Sequence, residues 1–469
     1  MSNHLSSSSV SSRAPEQQSP DPQPHIPQPE SPQPDSPAPD QATAATAGRY
    51  ARIFAMAGRG FVPVAFLARL PLAMLTIGAL TLVTSVTGSY ATGGLAAGAV
   101  GIGSAIGAPV LGYVADRIGQ RPVLLAAAVV NPLAIALTLY MAFQLPDAST
   151  PYAALATAFL MGATCPQVGP LARVRWMAMT ARKSSAGTRD LDTAMSYEGT
   201  ADELSFVLGP ALVGLLAAAV APWLPLAIAA VLTLSMVSAF AVHPTVRTVV
   251  PARAARAARE EREAAAAAAG EPLTPAAAEP RADWLLIALP VLGMVAMGTF
   301  FGGTQTSLTA FGGVFGISSA AGLLYAVMGI SSAAAALSVA FWPERFGPAA
   351  RWLAAAAAMT AFSVLLLFPA DVPTMLVALF VLGIPVGPTM VSIFGIGAVV
   401  APRHLMGTVM TMLASGVVTG TALGAALAGR LADSHGHQAA FLVSVGAAAA
   451  LLILSLVTRW AVAARRRRA

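Results

Sequence analysis

The chain has 469 residues, of which 56% are hydrophobic and 10% charged, with a formal net charge of +6. Soluble domains carry about 25% charged residues, so this composition excludes a water-soluble globular protein and predicts an all-α membrane protein. The single cysteine, Cys165, excludes an internal disulfide framework and any multi-cysteine metal site.

The chain begins with a polar segment rich in serine, proline and glutamine, for example "SPDPQPHIPQPESPQPDSPAPD". Such a segment has too little apolar surface to offset the entropy lost on ordering. We therefore expect residues 1–56 to form a disordered cytoplasmic tail.

Apolar runs of about 20 residues follow, each long enough to cross a bilayer as a helix. They predict an N-terminal six-helix bundle over 57–243, a charged, alanine-rich linker over 244–283, and a C-terminal six-helix bundle over 284–462. A basic cytoplasmic tail occupies 463–469. The twelve predicted spans are 62–88, 92–115, 122–143, 151–173, 201–220, 223–243, 285–311, 319–342, 350–369, 372–399, 407–430 and 438–460.

The arginines divide unequally between the two sides of these spans. With twelve spans both termini lie on one side, and that side holds nearly every arginine outside the spans, whereas the other holds only Arg430. Cytoplasmic loops are enriched in Lys and Arg, so both termini and the linker should be cytoplasmic. The high net positive charge is then a signal of topology, and we expect no nucleic-acid partner.

Two segments repeat between the halves of the chain. The stretch "LGPALVGLLA" at 208–217 aligns with "LGAALAGRLA" at 423–432, and "ADRIG" at 115–119 has a weaker counterpart in "PERFG" at 343–347. Two pseudo-symmetric six-helix repeats around a central linker favour a transporter over a receptor or a membrane enzyme.

The loop "GYVADRIGQR" at 112–121 concentrates charge between two apolar spans. On the residues alone, it is a helix hairpin with arginines on the cytoplasmic side. It also resembles the loop signature of the major facilitator superfamily, G-x-L-x-D-R-x-G-R-K, with Val114 and Gln120 departing from it. The resemblance implies the twelve-helix fold of that family and a cytoplasmic latch in which Asp116 faces the start of helix eleven. The matching residues are Gly112, Asp116, Arg117, Gly119 and Arg121.

A second motif lies in helix five. The stretch "SFVLGPALVG" at 205–214 is similar to a motif of drug/proton antiporters at Gly209, Pro210 and Gly214. The Arg-x-x-x-Gly pattern of helix four in those antiporters is missing, because Ala158 stands four residues before Gly162. Together with "GTALGAALAGRLADSHGHQAAF", the chain resembles largely uncharacterised bacterial efflux permeases of the plasma membrane.

Helices four and ten carry matching proline segments, "GATCPQVGP" and "GIPVGP". Each proline removes a helical hydrogen bond, and an open backbone is tolerated in lipid only against protein or a water-filled cavity. These segments therefore line the central cavity or are packing kinks without a ligand. Amide side chains nearby either contact substrate or bridge helices. The candidates are Pro166, Gln167, Pro170, Gln305, Pro385 and Pro388.

Charged side chains also fall within or near the spans, where charge is costly. Glu198 and Asp202 lie four residues apart at the predicted start of helix five, with Glu203 beside them, and Arg69 and Arg173 lie at a similar depth, as does Arg175. They form either a structural ion-pair cluster or a proton-coupling site in which burial raises and arginine lowers the affinity of a carboxylate for protons.

We predict a secondary transporter, not an enzyme, that couples efflux of a small amphipathic molecule to proton entry by alternating access. The chain has no phosphate-binding loop that would imply ATP as the driver, and it implies no cofactor. The alternatives are a proton-coupled uptake permease for a metabolite and, in another class, a membrane-embedded enzyme or sensor. His435 and His437 lie in a polar loop, so we expect no metal site. The expected partners are the lipid bilayer, the substrate and protons, and the expected state is a monomer.

Overall fold

The computed structural model describes residues 39–145, 151–181, 187–268, 282–317, 321–343 and 345–468. The predicted disordered tail up to residue 38, residues 269–281 of the predicted linker and the final residue of the basic tail lie outside this description. Residues Met1–Thr46 and Ala47–Ala469 form two units, and the contacts below belong to the second.

Helices make up the regular secondary structure of the described residues. One span, Leu224–Val242, consists of two α-helical parts joined by a single π-helical turn. The helices are α1 (Pro39–Ala57), α2 (Phe61–Thr87), α3 (Tyr90–Ile118), α4 (Gln120–Phe143), α5 (Tyr152–Ala163), α6 (Val168–Ala181), α7 (Gly187–Ala219), α8 (Leu224–Leu232), α9 (Ser238–Val242), α10 (Ala252–Ala268), α11 (Trp284–Val314), α12 (Ala321–Ser338), α13 (Pro348–Ser363), α14 (Val372–Val400) and α15 (Met406–Arg468).

Within the described ranges, 10 helices are long and apolar enough to cross a membrane. The predicted fourth span is absent from that count because it is divided into α5 and α6, each shorter than a bilayer requires. Two predicted spans fall within α15, which has 63 residues and a non-helical backbone at Gly436. This arrangement is consistent with the predicted twelve crossings.

Each half of the chain buries its own apolar core. Phe300, Trp352 and Phe394 lie in the core of the second half, and Phe61 and Trp176 lie in that of the first. Large apolar side chains also cover the outside, for example Leu133, Leu285 and Leu323 with exposed fractions of 65%, 80% and 73%. An apolar exterior is stable in lipid rather than in water.

Two predicted boundaries are wrong. Helix α1 includes residues 48–56, which we assigned to the disordered tail, because Ile53 is fully buried there and α1 packs on the bundle. Helix α7 begins at Gly187 rather than near 201. Hydropathy detects only the apolar part of a helix, so the polar first turns of α7 fall outside the predicted span.

The proline segments of helices four and ten behave differently. The chain leaves helical geometry between α5 and α6, beside Pro166, and Asn131 and Gln167 donate to the carbonyls of Met161 and Cys165 there. By contrast, α14 continues through Pro385 and Pro388. The prolines of helices four and ten therefore correspond as predicted, but only helix four is interrupted. Helix α14 packs closely on α12, which supports the unbroken helix.

The repeated motif packs in the same way in both halves. A β-carbon at Gly209 of α7 would lie 2.6 Å from the Ala73 β-carbon of α2, and one at Gly424 of α15 would lie 2.8 Å from the Gly303 nitrogen of α11. In each half, this glycine lets the fifth helix approach the first helix of its own bundle.

We predict that Gly209→Ala lowers the free energy of unfolding by about 1–3 kcal/mol, because the added methyl group overpacks the α2–α7 contact. Gly214→Ala is the matched control on the same helix, since nothing lies within 4 Å of a β-carbon there. Thermal unfolding of the two variants in detergent measures the difference. Equal unfolding temperatures would contradict the role assigned to Gly209.

Candidate functional site

The charged loop after α3 joins the two halves of the chain. Asp116 accepts hydrogen bonds from the backbone N–H groups of Gly407 and Thr408, at 2.8 and 2.7 Å, and from the Thr408 hydroxyl at 2.7 Å. These donors lie at the first turn of α15, where the helix dipole favours an anion. The contact expected from the resemblance is therefore present in the structure.

The other residues of this loop support the same contact. Gly112 allows close approach, because a β-carbon there would lie 2.8 Å from the Gly407 carbonyl oxygen. Gly119 has a φ of 103°, which allows α4 to begin at once. The Arg117 guanidinium lies 4.7 Å from the centre of the Tyr113 ring, and Arg121 is exposed.

Further polar contacts between the halves were not predicted. Arg351 at the start of α13 forms an ion pair with Asp192 of α7 at 2.8 Å. Arg49 and Tyr50 of α1 donate to the carbonyl oxygens of Ala340 and Leu337, at 2.8 and 2.9 Å. Their signal in the sequence was weak, because isolated arginine and tyrosine residues in polar segments are common.

We call the end of the bundle that carries α10 and the α3–α4 turn the linker end. Within the described ranges, the hydrogen bonds and ion pairs between the halves are concentrated towards this end, and Thr200 of α7 also donates to the Ala333 carbonyl. The two halves are therefore closed against each other at the linker end.

A buried ion-pair network crosses the first half. Arg69 of α2 binds Glu198 at 2.8 Å and Asp202 at 3.1 Å, and Asp202 also binds Arg173 of α6 at 2.7 Å. The indole N–H of Trp176 donates to the second oxygen of Glu198 at 2.8 Å. The side chains of Arg69, Glu198 and Arg173 are at most 3% exposed, whereas that of Asp202 is 16% exposed.

The position of these acids corrects the sequence prediction. Glu198 and Asp202 do not begin a helix, because α7 starts at Gly187 and they lie several turns inside it. The helix dipole therefore does not stabilise them, and the arginines alone balance their charge.

Two of the predicted charged residues lie elsewhere. Arg175 is separate from the network and donates to Gln120 and to the Phe240 carbonyl, both at 2.8 Å. Glu203 is buried on the side of α7 that faces α12, near Ser332 and Tyr325. Among the described residues, one oxygen of Glu203 has no hydrogen-bond partner.

A cavity of about 50 Å³ lies between the two halves beside the ion-pair network. It has room for a few water molecules, whereas pockets for drug-sized ligands measure about 300–1,000 Å³. The cavity in this conformation is therefore too small for a drug-sized ligand. Its wall includes Arg69, Asp202, Phe206, Met294, Met390 and Phe394.

The predicted cavity residues divide into two groups. Pro166 and Pro170 line this cavity. Gln167 instead satisfies the Cys165 carbonyl, Gln305 is half-buried on α11 away from the cavity wall, and Pro385 and Pro388 are buried within α14.

Arg173, close to the cavity, has hydrogen-bond donors without a partner among the described residues. Its guanidinium lies 3.8 Å from the centre of the Phe394 ring of the other half. Its Nε and Nη1 atoms are buried and have no hydrogen-bond partner within the described residues. A β-carbon at Gly169 would lie 3.1 Å from an Asp202 carboxylate oxygen, so the glycine keeps this place open.

Comparison with known proteins identifies relatives by sequence profile and by fold. The profile of the Major Facilitator Superfamily matches residues 61–416. No curated protein matches the sequence. The human organic anion transporter MFSD10 (TETRAN) superposes with a TM-score of 0.62 at 20% identity, over 84% of this chain and 98% of its own.

Two further solved structures share the architecture. The E. coli fucose:proton symporter FucP gives a TM-score of 0.54 at 15% identity, over 85% of this chain and 99% of its own. The nucleoside transporter NupG gives 0.53 at 16% identity, over 85% and 99%. At these identities the likeness establishes the fold and leaves the substrate open.

Proposed function

The chain belongs to the major facilitator superfamily, and from that premise we propose that it is a secondary active transporter that exports a small amphipathic molecule in exchange for protons. The single observation that carries this proposal is the buried network of Arg69, Glu198, Asp202 and Arg173, of which Arg69 and Asp202 line the cavity between the halves. Ionisable groups within membrane spans are costly and usually functional.

Asp202 is the acid that we assign to proton coupling. Of the three candidate acids, Asp202 alone lines the cavity, and it bridges Arg69 to Arg173. Protonation of Asp202 would remove both of its ion pairs at once. Glu203, buried between α7 and α12, is the second candidate.

The proton and the substrate would compete for this network. An ionised Asp202 keeps Arg69 and Arg173 in the paired arrangement that substrate would bind, whereas protonation of Asp202 breaks both ion pairs and disrupts that arrangement. A site that binds either ligand but not both at once couples the two flows in opposite directions, which is exchange.

The chemistry of the cavity wall favours an amphipathic substrate. Phe206, Met294, Met390 and Phe394 supply an apolar wall that can repack, since methionine adapts to irregular shapes. The Arg69 guanidinium in the same wall suits a hydrogen-bond acceptor at one end of the ligand. A sugar permease would need several converging polar groups, and this wall has few.

Alternating access would proceed by opening the linker end. The contacts of Asp116, Asp192 and α1 hold that end closed, together with Ala336, Val339 and Val391 of the second half, which pack into the apolar core of the first. Their combined loss on opening would be balanced by new contacts at the opposite end of the bundle.

We place both termini in the cytoplasm of a bacterial cell and the chain in the plasma membrane, because arginine is concentrated at the linker end. A reporter enzyme that is active only in the cytoplasm should therefore be active when fused after residue 469 or inserted between residues 269 and 281. Activity of a periplasmic reporter at these positions would contradict the topology. A fusion within the predicted outer loop at residues 146–150 is the matched control, with the opposite result expected.

Transport into inside-out membrane vesicles tests the function. A fluorescent amphipathic compound should accumulate when the vesicle interior is acidified, and the accumulation should disappear with a protonophore. Accumulation that is the same with and without the proton gradient would contradict proton coupling. Uptake in right-side-out vesicles alone would favour the uptake permease.

A further inference from the structure

A large groove of about 1090 Å³ lies at the linker end, between α10, the end of α3 and the first turns of α11 and α15. We call it the linker groove. Its walls include Arg117 of α3, Arg253 and Arg256 of α10, and Trp284 at the start of α11. The sequence indicates only a charged linker here and gives no reason to expect a site.

The groove contains arginines that are available to a ligand. Within the described residues, Arg117 contacts the Tyr113 ring and Arg253 has no ion pair. Arg256 faces Glu260 at 3.6 Å with both side chains more than two-thirds exposed, at 83% and 69%, a geometry that contributes little energy.

Two of the three carboxylates of the wall are engaged, and the third, Glu260, faces Arg256. Asp116 accepts its hydrogen bonds from α15, and Glu263 pairs with Arg259 at 2.8 Å. The remaining positive charge converges on the groove from two separate elements, α3 and α10. A multivalent anion placed between these elements would contact both.

The rim of the groove is apolar. Trp284, Tyr113 and Ile118 have exposed fractions of 54%, 40% and 48%, and Leu285 beside them is 80% exposed. Because α11 begins a membrane span at Trp284, this rim lies at the level of the lipid headgroups, where tryptophan and tyrosine are enriched. The groove therefore offers arginines to an anion and apolar side chains to acyl chains at the same place.

We propose that the linker groove binds the headgroup of an anionic phospholipid, with its phosphate between Arg117 of α3 and Arg253 and Arg256 of α10. Basic pockets at the cytoplasmic surface of membrane proteins suit such headgroups. The lipid bridges α10 to α3 directly beside Asp116, so it favours the closed linker end. A free phosphate ion matches the arginines but not the apolar rim.

Native mass spectrometry of the full-length protein in detergent tests the proposal, with phosphatidylglycerol and phosphatidylcholine of identical chains as probes. Phosphatidylglycerol should bind more tightly, and R253Q and R256Q should each weaken it about fivefold. Arg262 is the matched control, because this exposed residue of α10 does not line the groove and R262Q removes the same charge. The variants alter only an exposed helix outside the spans, so elution as the wild type is expected.

Each result decides the proposal. Weakened phosphatidylglycerol binding in R253Q and R256Q, with R262Q unchanged, supports it. Equal weakening by R262Q would mean that only the general positive charge attracts the lipid, which overturns the site. Equal affinity for phosphatidylcholine, or equally tight binding of glycerol 3-phosphate or inorganic phosphate, overturns the lipid headgroup as the ligand.

Discussion

Replacing Asp202 by asparagine should abolish gradient-driven accumulation of substrate while exchange of substrate down its own gradient persists. Asparagine keeps the shape of the side chain and an acceptor oxygen for Arg69 or Arg173, but it does not take up a proton. The accumulation ratio should then fall to about one, whereas in the wild type each pH unit of gradient supplies about 1.4 kcal/mol, or about tenfold accumulation, for each proton exchanged. Transport in proteoliposomes at several imposed pH gradients measures this ratio.

Glu203→Gln is the matched control for Asp202→Asn. Glu203 follows Asp202 in the chain and is also buried, but it faces α12 and stands outside the ion-pair network. We expect Glu203→Gln to keep the dependence of transport on the pH gradient. Wild-type dependence in Asp202→Asn, together with its loss in Glu203→Gln, would transfer the coupling role to Glu203 and contradict our assignment.

Replacing Asp116 by asparagine should open the linker end. The variant loses the negative charge at the first turn of α15 and at least one of the charge-assisted hydrogen bonds from Gly407 and Thr408. These contacts contribute about 1–2 kcal/mol, so the open population should rise about 5- to 30-fold and transport should fall. Membrane insertion should remain normal.

The opening can be measured at a cysteine placed in the cavity. With the native thiol removed by Cys165→Ala, Ala414→Cys introduces a thiol in the cavity wall, and a maleimide added from the cytoplasmic side reports its access. Asp116→Asn should increase the labelling rate.

Asp371→Asn is the matched control. Asp371 caps α14 within one half and accepts from the Thr374 N–H at 2.9 Å, and hydrogen bonds from Thr374 hold the pKa of Asp371 below its usual value. The same substitution chemistry there should leave labelling unchanged. Equal labelling rates in the wild type and Asp116→Asn would contradict the latch.

Hydropathy predicted the helical architecture well because the length and apolar character of each span are local properties of the sequence. Two local patterns also predicted contacts. The loop from Gly112 to Arg121 contacts the start of α15, and the repeated glycines, Gly209 and Gly424, each allow close helix packing within their own half. Hydropathy did not predict the start of α7, because the first turns of this helix are polar.

The composition of the charged network was predictable in part. Glu198 and Asp202 share a helical face by spacing alone, and Arg69 and Arg173 lie at their depth. Glu203 is one residue beyond Asp202, so its side chain is rotated by about 100° around the helix axis. This rotation directs Glu203 to α12 instead of the network. The contacts of Gln167 depend on the break before α6, and those of Arg175 depend on where neighbouring helices begin and end. No local sequence pattern predicts either feature.

The most direct test of the account is the proton flow that substrate itself drives. In proteoliposomes without an imposed pH gradient, an outward substrate gradient should drive protons inward, because coupling between two ligands is reciprocal. A pH-sensitive dye inside the vesicles should report acidification for the wild type and for Glu203→Gln, and none for Asp202→Asn despite continued substrate efflux. Substrate efflux from wild-type vesicles with no change in internal pH would contradict proton-coupled exchange.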